Sequence, residues 1–214
     1  MTKRILDILA RTMSVLLYPL FVPTYGIALF CYGHHTQVSP LAPAWISVAI
    51  GGTLLLTCLI PLTAIMVMIR QGNVKDLYIK DSRERTMPYL YTTVGFCFWC
   101  YLLIGILHTP LYINVVCIGA TIAIGLVTLI NRHWKISAHM TAMGGLFGGF
   151  ISYCLGIGAI PMWEMWSAWL IVILMLMYAR LWLEAHTATQ VVGGLLLGIF
   201  STFIPNMIIH FYGA

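Results

Sequence analysis

LYINVVCIGATIAIGLVTLI, residues Leu111–Ile130, runs for twenty residues without a charge. As an α-helix it reaches about 30 Å, the thickness of the hydrocarbon core of a bilayer. Read outward, the chain repeats this pattern. Towards the carboxyl terminus, the short basic loop Asn131–Ile136 leads into a second apolar run, Ser137 to Ile160. Pro161–Glu164 then turns the chain into a run ending near Arg180, and after 181–185 another begins at His186 and continues to about Phe211. Towards the amino terminus, His108-Thr109-Pro110 forms a tight hairpin to the run Tyr89–Leu107. The charged segment Arg70–Pro88 separates that run from Ala44–Ile69, and a first run spans Val15–Cys31, with Pro19 and Pro23 as kinks. Lipid cannot satisfy an open backbone, so such runs are helices. The expected fold is all-α, a polytopic transmembrane helical bundle of seven spans, or six if the first segment lies in the interface. Residues 1–214 form a single membrane domain, with no linker or repeat marking a second.

Composition agrees. The 214 residues are 61% hydrophobic and 8% charged, with a mean hydropathy of +0.94. Soluble domains carry about 25% charged and 45–50% apolar residues. The formal charge of +5 sits in a few loops, and no basic run interleaved with aromatics offers a nucleic-acid face. The six cysteines fall within or beside apolar runs. Cys97 and Cys100 have CxxC spacing but no second pair, so they read as packing residues. The polar, amphipathic stretch Met1–Arg11 lacks a small-residue cleavage site and is expected to be retained. No feature fixes an oligomeric state.

Charge is one-sided. With these spans, Lys3, Arg4, Arg11, Arg70, Lys75, Lys80, Arg83, Arg85, Arg132, Lys135 and Arg180 share one side. The other side holds His34, His35, His108, Glu164 and His210. The positive-inside rule makes the basic side cytoplasmic, and the expected location is the bacterial inner (cytoplasmic) membrane. Gly144, Gly145, Gly148 and Gly149 in the fifth span, and Gly194 and Gly198 in the seventh, form GxxxG pairs. Such surfaces let backbones approach closely. Pairing these two spans brings their amino-terminal ends, with His139 and His186, together.

Three loops on the basic side carry groups suited to a phosphate. Arg180 stands six residues before His186 at the border of a span. Arginine offers bidentate, permanently charged recognition of phosphate oxygens. An imidazole can attack phosphorus or protonate a leaving oxygen. In the middle loop, Ser137 and the free N–H groups at a helix start can cradle an anion, with His139 in the first turn. Lys80, Arg83 and Arg85 add positive charge against a phosphoryl transition state. Histidines and acids make no ligand-spaced set, so neither a metal nor another cofactor is expected.

At these residues the chain resembles the type 2 phosphatidic acid phosphatase superfamily of integral membrane lipid phosphatases. Its motifs are Lys-x6-Arg-Pro, Pro-Ser-Gly-His and Ser-Arg-x5-His-x3-Asp. The third reads here as Ala179-Arg180-x5-His186-x3-Gln190, and the second as Ile136-Ser137-Ala138-His139. The first is Lys80-x6-Met87-Pro88, with Arg83 and Arg85 standing near the missing guanidinium. The likeness covers about Lys80 to Gly198 and implies a phosphatase-like core over about 70–211. It implies His186 as the nucleophile forming a phosphohistidine and His139 as the acid that protonates the leaving group. Lys80, Ser137 and Arg180 would hold the phosphate, and Gln190, replacing the aspartate, would orient His186 without stabilising its cation. The expected activity is metal-independent hydrolysis of a phosphate monoester or diphosphate on a membrane lipid, with the bilayer as the other partner. The alternative, to which Ala179, Met87 and Gln190 point, is a catalytically impaired lipid-phosphate binding or transport protein. A third reading makes the chain a structural membrane subunit whose polar clusters are anchors.

Overall fold

The computed structural model describes residues 2–38, 40–76, 79, 81, 83–156 and 163–212. Among them it is all-helical, without strands. In chain order the helices are α1 (Thr2–Leu16), α2 (Val22–Gln37), α3 (Pro43–Arg70) and, after a 3-10 turn at Arg83–Arg85, α4 (Thr86–Gly105). They continue as α5 (Leu111–Ile130), α6 (Ala138–Gly156), α7 (Trp163–Trp182) and α8 (Ala188–Tyr212).

Among the described residues, five helices, α3, α4, α5, α7 and α8, are long and apolar enough to cross a membrane. Of the six to seven spans expected, five are shown by length and composition among the described residues. The predicted first span, Val15–Cys31, is not one helix. Pro19 brings no N–H and pushes the residue before it out of the helical region. The chain turns there, with Tyr18 donating to the Val15 carbonyl at 3.2 Å and Phe21 to that of Tyr18 at 2.9 Å. Pro23 falls in the first turn of α2, where its missing N–H costs nothing. α2 has only 16 residues. The predicted fifth span yields α6, whose glycines and His139 dilute its apolar character; residues 157–160 of that span lie outside the described residues.

α1 has three faces. Lys3, Arg4, Asp7 and Arg11 form a charged one, with an Asp7–Arg11 ion pair of 2.9 Å. Ile5, Ile8, Leu9 and Leu16 form an exposed apolar stripe, while Ala10 and Ser14 are buried where α1 packs on α7. That is the pattern of a helix lying in a membrane interface. α3 contains a π-helical turn, Leu54–Leu59, ahead of Pro61. The proline ring would clash with the carbonyl four residues back, and the wider turn lets Ile60 donate to the carbonyl of Leu55.

α6 and α8 run parallel and make the most extensive pairing in the bundle. A Cβ on Gly198 would strike the Thr141 carbonyl, and one on Gly144 the Leu195 carbonyl. The Thr202 hydroxyl crosses the seam to the Gly145 carbonyl at 2.9 Å. Backbone contact of this kind needs glycine at those two places. It sets the amino-terminal ends of both helices side by side at the basic end.

Candidate functional site: a basic head on an apolar cavity

A cavity of about 710 Å³ begins at that end and runs into the bundle. Its basic head is lined by Arg85, Arg180, His139, His186 and Lys135, with Ser14 and Tyr18 from the amino-terminal segment. The walls beyond are mostly apolar, supplied by α2, α4, α5 and α6, and the exposed Arg11 and Glu184 stand at the rim.

Each head residue is held by a neighbour. Arg85 ends the 3-10 turn, is 6% exposed, and donates from Nε to the Ile79 carbonyl at 2.6 Å. Ile79 itself has φ +39°, a left-handed conformation that a β-branched residue rarely adopts. That conformation is the one that offers its carbonyl to Arg85. Arg180, in the last turn of α7, is 8% exposed and donates from one terminal nitrogen to the Ser14 hydroxyl at 3.2 Å. Its Nε is buried and has no partner among the described residues. Neither guanidinium has a carboxylate within ion-pair distance there; the ion pairs among the described residues are Arg11–Asp7 and Lys75–Glu84. A buried charge ordinarily finds a counter-charge, because leaving it alone costs several kcal/mol, on the order of 3–5 when a partner is removed. Two buried guanidiniums without an ion-pair partner among the described residues make the head of this cavity suited to an anion.

The imidazoles are fixed by backbone carbonyls. His186 lies between α7 and α8, outside both helices, and its Nδ1 is 3.2 Å from the Lys135 carbonyl. That contact makes Nδ1 the donor and leaves Nε2 with its lone pair. Burial, then the charges of Arg85 and Arg180, hold the His186 ring down to about 4, so it is neutral near pH 7. His139, in the first turn of α6, has Nε2 3.1 Å from the Ser14 carbonyl, and the Tyr18 ring meets its ring edge-on at 5.6 Å.

The remaining expected residues are placed differently. Ser137 is fully buried but does not line the cavity; its N–H donates to the Gln190 carbonyl at 3.3 Å and its carbonyl accepts from Thr141. Its backbone belongs to the α6–α8 seam, and its hydroxyl is buried with no partner among the described residues. Gln190, predicted to orient His186, hydrogen-bonds to Thr187. Its side chain accepts from the Thr187 N–H at 3.1 Å while Thr187 Oγ1 accepts from the Gln190 N–H at 3.4 Å, a capping box at the start of α8. The Lys135 carbonyl takes the place beside His186 instead. Arg83 is exposed and away from the cavity, and Lys80 lies outside the described residues. Met87 is 58% exposed, and Arg85, two residues earlier, supplies the guanidinium at the head.

Ser14, Tyr18 and the Lys135 carbonyl are the partners that motif reading missed. Ala10 and Ser14, four apart on a helix otherwise edged by large or charged residues, were the available sign of a face meant for close packing. No family model, no curated protein and no solved structure matches the chain.

Proposed function

We propose that the protein binds a membrane lipid phosphate or diphosphate at this head and hydrolyses it through a phosphohistidine on His186. The observation that supports this reading is the pair of buried guanidiniums without carboxylate partners among the described residues, set beside two imidazoles at the mouth of an apolar cavity. The phosphate meets Arg85 and Arg180, and the tail follows the apolar walls. His186 Nε2 attacks phosphorus as the bond from phosphorus to the lipid oxygen breaks, and His139, protonated on Nδ1 in the complex while its Nε2–H stays on the Ser14 carbonyl, gives that oxygen the Nδ1 proton. The Lys135 carbonyl keeps its hydrogen bond to Nδ1 as the ring becomes positive. Water then attacks phosphorus, gives a proton to His139 and releases inorganic phosphate as the N–P bond breaks. The arginines carry the charge that builds on the phosphoryl oxygens. The core is read as phosphatidic-acid-phosphatase-like on these grounds.

One arrangement favours a second reading, head-group binding without turnover. Among the described residues no carboxylate pairs with His186, whose Nδ1 is held by the Lys135 carbonyl, and His139 spends Nε2 on the Ser14 carbonyl. Purified protein in detergent, given phosphatidic acid or a polyprenyl diphosphate with chelator present, separates the two. Hydrolysis predicts phosphate release and acid-labile, alkali-stable label on the protein, both lost in His186→Ala. Full activity in that variant sinks the catalytic reading, and binding without release favours the second.

A further inference from the structure

Asp76, Asp81 and Glu84 lie in the loop ahead of α4, and each accepts a hydrogen bond from a backbone N–H of that loop. Asp81 Oδ1 accepts from the Arg83 N–H at 2.9 Å. Glu84 accepts from the Lys75 N–H at 3.1 Å, with the Lys75 ammonium 3.8 Å from its other oxygen. Asp76 Oδ1 accepts from the Ile79 N–H at 3.0 Å. The loop thus holds acids close in sequence to Arg85, yet among the described residues none forms an ion pair with it. Side-chain oxygens bonded to nearby N–H groups fix the course of a chain outside regular structure. Here they shape the loop that carries the arginine to the cavity.

Asp76 bears most directly on that arginine. The Ile79 N–H is shared between its carboxylate and its carbonyl, the latter at 3.2 Å. The Ile79 side chain, 6% exposed, is packed among Leu20, Cys58, Ile65 and Val74. Held at its N–H and at its side chain, Ile79 keeps φ at +39°, which a β-branched residue left to itself abandons. Its carbonyl then meets Arg85 Nε. With Nε engaged, Arg85 has its terminal nitrogens to offer an anion, and its planar fork is held against swinging. Asp76, Ile79 and Arg85 all line the cavity.

We propose that Asp76 is a positioning residue of the site: through the left-handed Ile79 it fixes the guanidinium of Arg85 to receive the phosphate. This rests on the reading that the basic head binds a phosphate. The sign of its effect sets the role apart. A carboxylate on the wall of an anion site repels the ligand, so if charge were its only influence, removing it would tighten binding. A carboxylate that holds Arg85 in place weakens binding when it is removed.

The test measures binding of radiolabelled dodecyl phosphate to the full-length protein in detergent with chelator present, and phosphate release on the same samples. Asp76→Ala weakens affinity roughly tenfold, the worth of one hydrogen bond to a charged group. Asp76→Leu, of similar shape but without an acceptor, gives the same loss and guards against a fold defect peculiar to alanine. Asp76→Asn keeps an oxygen for the Ile79 N–H and sheds the charge, so it binds as well as the native chain or better. In Arg85→Lys the single nitrogen cannot serve the Ile79 carbonyl and present a fixed fork. The loss from Asp76→Ala therefore shrinks to about twofold or less in that background, as coupled residues require. Unchanged or tighter binding in Asp76→Ala overturns the proposal and leaves the phosphate reading in place. So does an equal loss in Asp76→Asn, or a full loss in the Arg85→Lys background. A native chain that does not bind dodecyl phosphate removes the phosphate reading and this proposal with it. The expected order of affinities without phosphate release upholds the role of Asp76 and removes the hydrolytic reading.

Discussion

His186 has one ring nitrogen committed to a carbonyl and one left for chemistry, and its low proton affinity has two consequences. The free nitrogen keeps its lone pair down to about pH 4, so phosphate release should fall as pH drops towards that value rather than towards the ordinary histidine value near 6.5. Stability should respond as well. Between about pH 6.5 and 4 the unfolded chain binds a proton at this histidine and the folded one does not. Stability is therefore fully present above 6.5 and lost as pH falls through the window. Thermal unfolding in detergent across that range should have a shallower pH slope in His186→Phe. His139→Gln should lower release by about 10²–10⁴, the usual worth of a positioned acid. Gln190→Ala should cost about 1 kcal/mol of stability, as lost caps do, while release stays far above that of His186→Ala. The reverse order of those two variants would restore Gln190 as the orienting group. At this scale the sequence disclosed Arg180 and His186 through their spacing. It hid the partners of His186 and His139, because both are backbone carbonyls, which any residue type can supply.

The α6–α8 seam decides whether the histidines meet. Each sits at the start of its helix or just before it, so a change in the approach of the two backbones shifts both ends. Gly198→Val places a side chain against the Thr141 carbonyl, and the overpacking should cost about 1–3 kcal/mol. Phosphate binding should weaken along with the melting temperature in detergent. A variant that melts earlier yet binds phosphate as before would separate the seam from the site. The glycine spacing made this pairing legible, since small residues four apart have few other uses in an apolar helix. The break at Leu17–Phe21 was less so. A hydropathy reading slides over two prolines in an apolar run, whereas hydrogen bonding stops there. The charged face of α1 and the short α2 then become separate elements. α1 is tied to the site by Ser14, whose carbonyl meets His139 and whose hydroxyl accepts from Arg180. Ser14→Ala removes the hydroxyl from Arg180 but keeps the carbonyl for His139. Phosphate affinity should fall by the equivalent of about 1 kcal/mol, the net value of one hydrogen bond, with the chemical step little changed. Isotherms and single-turnover rates measure the two separately.

At the scale of the molecule, the up-and-down course of the helices gathers the cations of several loops at one end, and the cavity mouth opens there. A cysteine placed at Arg132 and another at Glu164 should be labelled by impermeant reagents from opposite sides of the membrane, Arg132 from the cytoplasmic one. Labelling of both from one side would undo the alternation of spans. This charge asymmetry could be read without any structure, because it needs only the order of apolar runs. The cavity could not, since a wall residue and a lipid-facing residue in the same helix look alike in composition. Ser14 gives this arrangement a dimension of time. The ribosome makes it more than a hundred residues before His139 and Arg180, its two partners. The early helix must wait at the membrane surface while the later spans are inserted, and the head of the cavity closes only when it docks. Assembly, not chemistry, should then be what a bulky fusion ahead of α1 disturbs: a bundle that inserts and purifies normally but holds Arg180 and His139 unfastened.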